Sequence, residues 1–301
     1  MPTGDNAPTK PALGYYSPLR YPGGKARLAR YIADLIRAQD PRPLAYAEPF
    51  AGGAGAALKL LAEGVVDEIH VNDLDPGIAA FWRCVYHRTD ELVRSIEHAD
   101  VSIDTWHEQR TIYSAPADRD DLELGFATFF LNRCNRSGIL TARPIGGLEQ
   151  TGQWLIDARF NRTDLVDRIR YIAEFRHRVH LTELDARDFI SSLAEAPDVM
   201  LYVDPPYIVQ GDALYLDKLS YDDHRGVAEV LRGTDLRWFM TYDCDARITD
   251  ELYPDLRCAR FNIKHTAQHQ HVGSEYAIFS DRLVVPHIGI LPKDEADWVV
   301  V

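Results

Sequence analysis

The sequence predicts an α/β fold in which a doubly wound, mostly parallel sheet is covered by helices. Two observations lead to this prediction: short apolar segments bounded by turn residues recur along the chain, and helical patterns separate several of them. The predicted strands are residues 44–48, 68–72, 179–185, 199–203 and 237–242, and the predicted helices are residues 26–38, 54–63 and 223–232. Such alternation is typical of parallel strands whose two faces are both buried by helices.

The first predicted unit lies in the N-terminal part of the chain. ARLARYIADLIRA, residues 26–38, has the apolar spacing of a helix and precedes the strand LAYAE, residues 44–48. A glycine-rich turn follows this strand and opens the helix 54–63, after which EIHVN, residues 68–72, is the second strand. This order is a strand, a crossover helix and a parallel strand.

The sheet is predicted to continue after a long interval. VHLTELD, VMLYV and RWFMTY form the strands 179–185, 199–203 and 237–242, with the helix 223–232 before the last of them. Two further runs near the C-terminus, 257–265 and 274–283, are predicted to pair as an antiparallel hairpin at the edge of the sheet.

The interval from 85 to 175 breaks the alternation. It is too long for one crossover, has mostly helical patterns and contains a Gly/Pro loop. We therefore predict a core of residues 15–84 and 176–301, with 85–175 as an inserted, mostly helical subdomain. Residues 1–14, which are polar and Pro-rich, are predicted to be a disordered leader.

Composition narrows the class of protein. In 301 residues, 46% are hydrophobic and 26% charged, which is ordinary for a globular protein. No apolar run approaches the ~20 residues that a membrane span requires, and the N-terminus has no apolar signal region, so we expect no membrane association and a cytoplasmic location. The four cysteines form no C-x-x-C pair, and we expect reduced thiols.

The charge is distributed unevenly. A net charge of −13 argues by itself against a nucleic-acid partner. Between residues 133 and 178, however, nine arginines outnumber five acidic residues, so this segment carries +4 and the remainder −17. Two interpretations remain open: a solvated helix face with i, i+4 pairs, or a surface that binds nucleic acid.

The first chemical motif is the segment 46–55, YAEPFAGGAG, where a strand ends in a glycine-rich turn that opens a helix. Glycines let the backbone approach a ligand, and the helix N-terminus presents free N–H groups. Asn72-Asp73 follows at the end of the next strand, from which a carboxylate can bind ribose hydroxyls. A structural turn is the alternative, but the acid at this offset favours nucleoside binding. A dinucleotide G-x-G-x-x-G pattern is absent, which disfavours an NAD-dependent oxidoreductase.

The second motif is Asp204-Pro205-Pro206-Tyr207, directly after the strand 199–203. The amino group of adenine or cytosine is a poor nucleophile, because its lone pair is delocalised into the ring. The Asp204 carboxylate can accept a hydrogen bond from such an amino group. It can also stabilise the positive charge that develops on the amino nitrogen as this nitrogen attacks. Pro205, confined by the next proline, fixes the direction of its carbonyl, and Tyr207 can stack on the base. A strand-terminating turn with a capping Asp is the alternative.

Together these motifs resemble the DNA adenine methylase family, whose members transfer methyl groups from S-adenosylmethionine to the adenine 6-amino group. Residues 17–25, SPLRYPGGK, are similar to that family's N-terminal motif, and 131–138, LNRCNRSG, to the start of its target-recognition segment. Asp188-Phe189 matches its acid-aromatic pair at the cofactor's adenine. The resemblance implies the S-adenosylmethionine-dependent methyltransferase type of sheet, and it runs in order from about residue 17 to 282.

The candidate site residues follow from the motifs and this resemblance. The catalytic candidates are Asp204, Pro205, Pro206 and Tyr207. The candidates for binding S-adenosylmethionine are Tyr21, Gly23, Gly24, Lys25, Glu48, Pro49, Phe50, Gly52, Gly53, Asn72, Asp73, Asp188, Phe189 and Asp204. The candidates for binding DNA are Asn132, Arg133, Asn135, Arg136, Ser137, Gly138 and Arg143.

The resemblance implies double-stranded DNA as the partner, from which the target base must be extruded. Methylation of the cytosine 4-amino group is the nearest alternative chemistry, although the first position of that motif is then more often Ser. A non-catalytic, cofactor-binding DNA regulator is the alternative from another class. His265, His269 and His271 have ligand-like spacing but are explained by a polar hairpin loop, so we predict no metal site. A cognate restriction enzyme is a conceivable companion, and the sequence specifies no oligomeric state.

Overall fold

The computed structural model describes residues 15–21, 25–196, 198–208, 219–265, 271–292 and 296–300. Its centre is an eight-stranded mixed sheet. The strands are β1 (Ala45–Glu48), β2 (Glu68–Asn72), β3 (Val179–Thr182), β4 (Val199–Val203), β5 (Arg237–Asp243), β6 (Arg257–His265), β7 (His271–Phe279) and β8 (Asp297–Val300). The prediction of an α/β sheet is confirmed, and β2 and β4 have the predicted bounds.

The strand order is β3-β2-β1-β4-β5-β7-β6-β8. The first five strands in this order pair in parallel, whereas β7 is antiparallel to both β5 and β6. The predicted hairpin therefore forms, but its placement at the edge of the sheet is wrong, because β8 pairs with β6 on the outer side. This last strand, DWVV, has only four residues and is mostly exposed, and its short apolar run is not among the predicted strands.

The helices are α1 (Ala29–Ala38), α2 (Gly55–Ala62), α3 (Pro76–His87), α4 (Thr89–His98), α5 (Ile103–Tyr113), α6 (Asp121–Cys134), α7 (Arg162–Ala173), α8 (Ala186–Ser192) and α9 (Tyr221–Gly233). Local chemistry sets several of their starts. Asp75 and Asp120 cap α3 and α6 by accepting backbone N–H bonds, and Ser220 caps α9 with Asp223 in a reciprocal pair. Asp185 caps α8, so β3 ends earlier than its apolar run predicts.

Alternate residues of the central strands point into two separate cores. Tyr46 of β1 and Met200 of β4 belong to the core that packs against α1 to α7. Their neighbours Ala47 and Leu201 belong to the core that packs against α8 and α9. The central strands β1 and β4 are therefore buried on both faces, as expected for the middle of a parallel sheet.

The segment 85–175 contains the end of α3 and all of α4 to α7, while residues 139–161 form no α-helix. Its apolar side chains, among them Phe129 and Ile169, share one continuous core with Tyr46 of the sheet. The division of the chain at 85 and 175 stays a prediction. Among the helices of the described residues, none is both long enough and apolar enough to span a membrane.

Candidate active site

The glycine-rich turn lies between β1 and α2, at the carboxyl edge of the sheet. Gly52 has φ +46°, and a Cβ atom there would lie 2.5 Å from the Cζ atom of Tyr21. The Tyr21 ring thus packs on the turn, and glycine alone leaves room for it. Gly53 also faces this ring, whereas Gly23 and Gly24 of the N-terminal motif lie outside the described residues.

Asp73 follows β2 and holds the same turn. Its Oδ2 atom accepts a hydrogen bond from Gly52 N at 2.7 Å, and its Oδ1 atom accepts one from Asp75 N at 3.0 Å. The half-buried side chain lines a cleft between α3 and the ends of β2 and β3, which Trp82 and Glu183 also line. A carboxylate in this position can accept hydrogen bonds from a ribose.

Asn72, the neighbouring cofactor candidate, has a different role in this structure. It is fully buried, and its Nδ2 atom donates to the carbonyls of Pro49 at 3.0 Å and Leu184 at 2.9 Å. Its Oδ1 atom accepts a hydrogen bond from Thr182 Oγ1 at 2.7 Å. Since both amide hydrogens are used within the protein, Asn72 positions the loops around the cleft.

The Asp204 motif lies at the end of β4 and contacts residues from three other segments. Lys25 Nζ lies 3.1 Å from Asp204 Oδ1 and 3.2 Å from Glu275 Oε2, and it donates to Tyr207 Oη at 2.7 Å. Tyr207 donates in turn to Glu275 Oε1 at 2.7 Å, and Thr241 Oγ1 donates to Asp204 Oδ1 at 2.9 Å. We refer to Lys25, Asp204, Tyr207 and Glu275 as the Asp204 cluster.

Burial and charge act against each other in the Asp204 cluster. Burial alone lowers the pKa of Lys25, but the carboxylates of Asp204 and Glu275 outweigh it and raise this pKa above its ordinary value. Burial also raises the pKa of Asp204, and the Lys25 charge opposes that rise. The ammonium group is therefore held in its charged form between two carboxylates.

The sequence does not predict Glu275 or Thr241 as site residues. Glu275 lies on β7, and its side chain is 2% exposed. The one available signal is a glutamate directly before the run Tyr276–Phe279, which by itself identifies no partner. Between Asp204 and Tyr207, Pro205 is buried and Pro206 is half-buried.

Glu48 ends β1 below the glycine turn. Its Oε1 atom accepts hydrogen bonds from Tyr46 Oη at 2.9 Å and from Ala57 N at 3.0 Å. Burial raises the pKa of Glu48 to about 8 from an ordinary value of 4.5. The adjacent Pro49 is buried and Phe50 half-buried, so this part of the motif has little contact with solvent.

This raised pKa makes stability depend on pH. The folded chain binds the Glu48 proton more tightly than the unfolded chain, so the free energy of unfolding falls as pH rises from the unfolded pKa through about 8. We expect Glu48→Gln to reduce the loss of stability between about pH 5 and pH 8.5, measured by urea unfolding. Glu63→Gln, at the exposed end of α2, is the control. Equal pH profiles for Glu48→Gln and the unsubstituted protein would contradict this assignment.

The acid-aromatic pair Asp188-Phe189 lies near the start of α8, and its two side chains differ in burial. Asp188 is exposed, as a ligand contact requires, but the Phe189 ring is 2% exposed and packs in the core beneath α8. The ring therefore contributes to packing, and its contact with the cofactor stays a prediction. Asp188 stays a prediction.

The motif 131–138 is largely structural. Asn132 and Asn135 are fully buried: Asn132 Oδ1 accepts from Arg20 N at 2.7 Å, and Asn135 Oδ1 accepts from Trp106 Nε1 at 2.6 Å. A Cβ atom on Gly138, whose φ is +77°, would lie 2.4 Å from the Arg20 carbonyl oxygen. The polar atoms or the backbone of these three residues are held inside the protein, and their predicted DNA contacts stay untested predictions.

The arginines of the segment fall into two groups. Arg133 Nε donates to the carbonyl of Arg159 at 2.7 Å, so its guanidinium has an internal partner, and its DNA contact stays a prediction. Other members bind internal partners in the same way, for example Arg168 with Asp164. Within the part of the chain that the structure describes, Arg136, Arg143 and Arg159 are exposed without an ion pair or side-chain hydrogen bond. Arg136 N donates to Arg143 O at 3.0 Å, which brings these two residues side by side.

Ser137, between the buried and the exposed residues of this motif, has a left-handed backbone with φ 57°. The histidine cluster lies mostly outside the described residues: His269 is not among them, and only the backbone of His265 and His271 is described, as partners in the β6–β7 pair. Its role stays a prediction.

The chain is similar to one protein family and, distantly, to some solved structures. None of the curated proteins matches it. Among solved structures, the rRNA methyltransferase aviRa from Streptomyces viridochromogenes matches at 12% identity and TM-score 0.39, covering 95% of this chain and 94% of the other. Protein LPL1258 from Legionella pneumophila matches at 12% identity and TM-score 0.32, covering 88% of this chain and 86% of the other. A family model described as D12 class N6 adenine-specific DNA methyltransferase matches residues 21–272, and the chain therefore belongs to this methyltransferase family.

Proposed function

We propose that this protein transfers a methyl group from S-adenosylmethionine to the 6-amino group of an adenine extruded from double-stranded DNA. The observation that carries the proposal is the Asp204 cluster at the carboxyl end of β4, where a carboxylate and a tyrosine hydroxyl hold an amino group. Family membership supports adenine as the base. The extrusion follows from geometry, since an enzyme cannot reach a base edge inside an intact duplex.

The position of Lys25 indicates which chemical group the Asp204 cluster binds. Its Nζ atom is an N–H donor, and the Asp204 carboxylate and the Tyr207 hydroxyl are within hydrogen-bond distance of it. The amino group of adenine is also an N–H donor and would bind the same carboxylate oxygen. The Lys25 ammonium must then move toward Glu275, with which it already forms an ion pair, as the base enters.

Movement of Lys25 also changes the carboxylate. The Lys25 charge opposes the pKa rise that burial causes at Asp204. Once the ammonium group has withdrawn, Asp204 accepts a hydrogen bond more strongly from the amino group and stabilises its developing positive charge. Thr241 holds the carboxylate oxygen in place through its own hydrogen bond of 2.9 Å.

The residues at the ends of β1 and β2 fit the methyl donor. S-adenosylmethionine supplies an electrophilic methyl group on a sulfonium centre. Asp73 presents a carboxylate to the cleft for the ribose hydroxyls, and exposed Asp188 at the start of α8 lies after the neighbouring strand β3. The glycine turn, on which Tyr21 packs, lies next to Asp73 because Gly52 N donates to Asp73 Oδ2 at 2.7 Å.

We expect Asp73→Ala to weaken binding of S-adenosylmethionine by ~1–3 kcal/mol, the size of a lost charge-assisted hydrogen bond. Isothermal titration calorimetry measures this affinity directly. Asp67→Ala is the matched control, because Asp67 is an exposed carboxylate at the opposite end of β2. Unchanged affinity in a folded Asp73→Ala variant would contradict the ribose contact.

We expect the exposed arginines to contribute to the salt dependence of DNA binding despite the net charge of −13. Arg136→Gln and Arg143→Gln should each reduce the slope of log affinity against log salt by about 0.9, the value for one lost phosphate contact. Arg170→Gln is the control, since Arg170 pairs with Glu97 at 3.6 Å. If slope and affinity are the same in all variants, another surface binds DNA.

Nucleoside analysis of the product tests the activity as a whole. The full chain is incubated with S-adenosylmethionine labelled on its methyl group and with plasmid DNA, and the DNA is then digested to nucleosides. We expect label in 6-methyladenine and at defined sequence sites. Label in 4-methylcytosine would assign the alternative base, and absence of label from DNA, with the cofactor bound, would favour a non-catalytic regulator.

A further inference from the structure

A second group of chemically reactive side chains lies on the outer part of the sheet, away from the Asp204 cluster. His70 of β2 and His180 of β3 are register partners in a parallel pair. Side chains of directly paired residues point to the same face, and so does Glu68, two residues before His70. The sheet therefore places two imidazoles and one carboxylate together, although His180 is far from the other two in the sequence.

The distances are those of a group that can converge on one ion. Glu68 Oε2 lies 2.9 Å from His180 Nε2, and Glu68 Oε1 lies 3.8 Å from His70 Nε2. The two imidazole rings are stacked, with centroids 4.6 Å apart and planes at 19°. One ligand atom from each residue lies within 4.8 Å of the others. Small rotations of exposed side chains bring such atoms to the ~2.0–2.2 Å at which nitrogen and oxygen bind zinc.

The residue types also favour an ion here. Two imidazoles and a carboxylate are a common ligand set for zinc, with the fourth position taken by water.

We propose that Glu68, His70 and His180 bind one divalent transition-metal ion, with zinc the best match to this ligand set. The ion would connect the edge strand β3 to β2. Thr182 and Glu183, two and three residues after His180, line the cleft that contains Asp73. Metal binding would accordingly stabilise the outer wall of the cleft, while the ion itself stays remote from the reacting groups.

Metal titration of the full chain tests the proposal. After chelator treatment, zinc affinity is measured by competition with a chromophoric chelator, and cobalt is added separately to record visible absorption. We expect one zinc site per chain, intense cobalt absorption typical of four-coordinate geometry, and a higher melting temperature with zinc. His180→Ala and Glu68→Gln should each weaken zinc binding by at least about tenfold and remove the melting shift.

A control variant and a check of folding make the zinc-binding result interpretable. His98→Ala changes an exposed histidine on α4 and should leave zinc binding unchanged. Circular dichroism confirms that each variant is folded, and Glu68→Gln preserves side-chain shape if His180→Ala does not fold. The proposal is overturned if zinc does not bind. It is also overturned if zinc still binds to both His180→Ala and Glu68→Gln, and loss of binding in His269→Ala would then locate the site in the histidine cluster. These readouts do not depend on methyl transfer.

Discussion

Asp204→Ala is expected to lower turnover by at least ~100-fold, the scale for removing one preorganised charge partner from a transition state. The carboxylate contacts Lys25 at 3.1 Å and Thr241 at 2.9 Å, and it lies where the amino group of the base would enter. Its effect should be confined to the chemical step, because cofactor affinity depends on Asp73 and the cleft. Single-turnover kinetics and calorimetry on the same variant separate the two quantities.

Two controls sharpen this experiment. Asp204→Asn keeps the shape and one acceptor oxygen but removes the charge, so we expect turnover to stay low while the base is still captured. Asp245→Ala removes a nearby carboxylate that pairs with Arg247 at 2.8 Å, and it should have little effect. Near-normal turnover of Asp204→Ala would mean that the carboxylate only caps a turn, and the proposed mechanism would then be wrong.

Tyr207→Ala is expected to have the second largest effect, a decrease of about 10- to 100-fold in kcat/KM. Base–aromatic stacking contributes ~1–3 kcal/mol per base, and the Tyr207 ring lies against Tyr242 with centroids 6.2 Å apart, which fixes its plane. Tyr207→Phe keeps the ring and loses only the hydrogen bonds to Lys25 and Glu275. We therefore expect a decrease of less than about tenfold for this variant.

A fluorescent adenine analogue at the target position distinguishes base capture from chemistry. Its emission rises when it leaves the base stack, so it should brighten with Asp204→Asn and give an altered signal with Tyr207→Ala, in which the extruded base has no ring to rest on. Tyr15→Ala is the control, because the Tyr15 side chain is exposed. Identical signals and rates for Tyr207→Ala and the unsubstituted protein would contradict the stacking role.

Four of the inner strands were predictable because they are short, largely apolar segments bounded by turn residues. β2 and β4 have the predicted bounds, and β1 and β5 each differ from theirs by one residue. β8 was missed, because the run DWVV is only four residues long and nothing local to it identifies β6 as its partner. Helix ends depended on capping side chains, such as the Asp185 cap that shortens β3.

The candidate site divides in the same way. Asp204 and Tyr207 could be found from sequence, because a polar motif directly after a buried strand must lie at the edge where ligands bind. Glu275 and Thr241 could not be found in this way. They lie on β7 and β5, and no local pattern in the sequence specifies the order of these strands in the sheet. Conversely, Asn132 and Asn135 have the composition of a DNA contact, but their amides are used inside the protein.

The sequence by itself therefore determined the α/β class, the glycine turn and the amino-group motif, because each depends on neighbouring residues and their local periodicity. Only the tertiary structure decided which polar groups are free and which meet. Arg133 and Arg136 are three residues apart, yet one is bonded to the Arg159 carbonyl and the other is exposed. Glu68, His70 and His180 come together only through the pairing of β2 with β3. Burial and strand pairing join residues distant in the chain, and these long-range contacts determine whether a side chain serves the fold or a ligand.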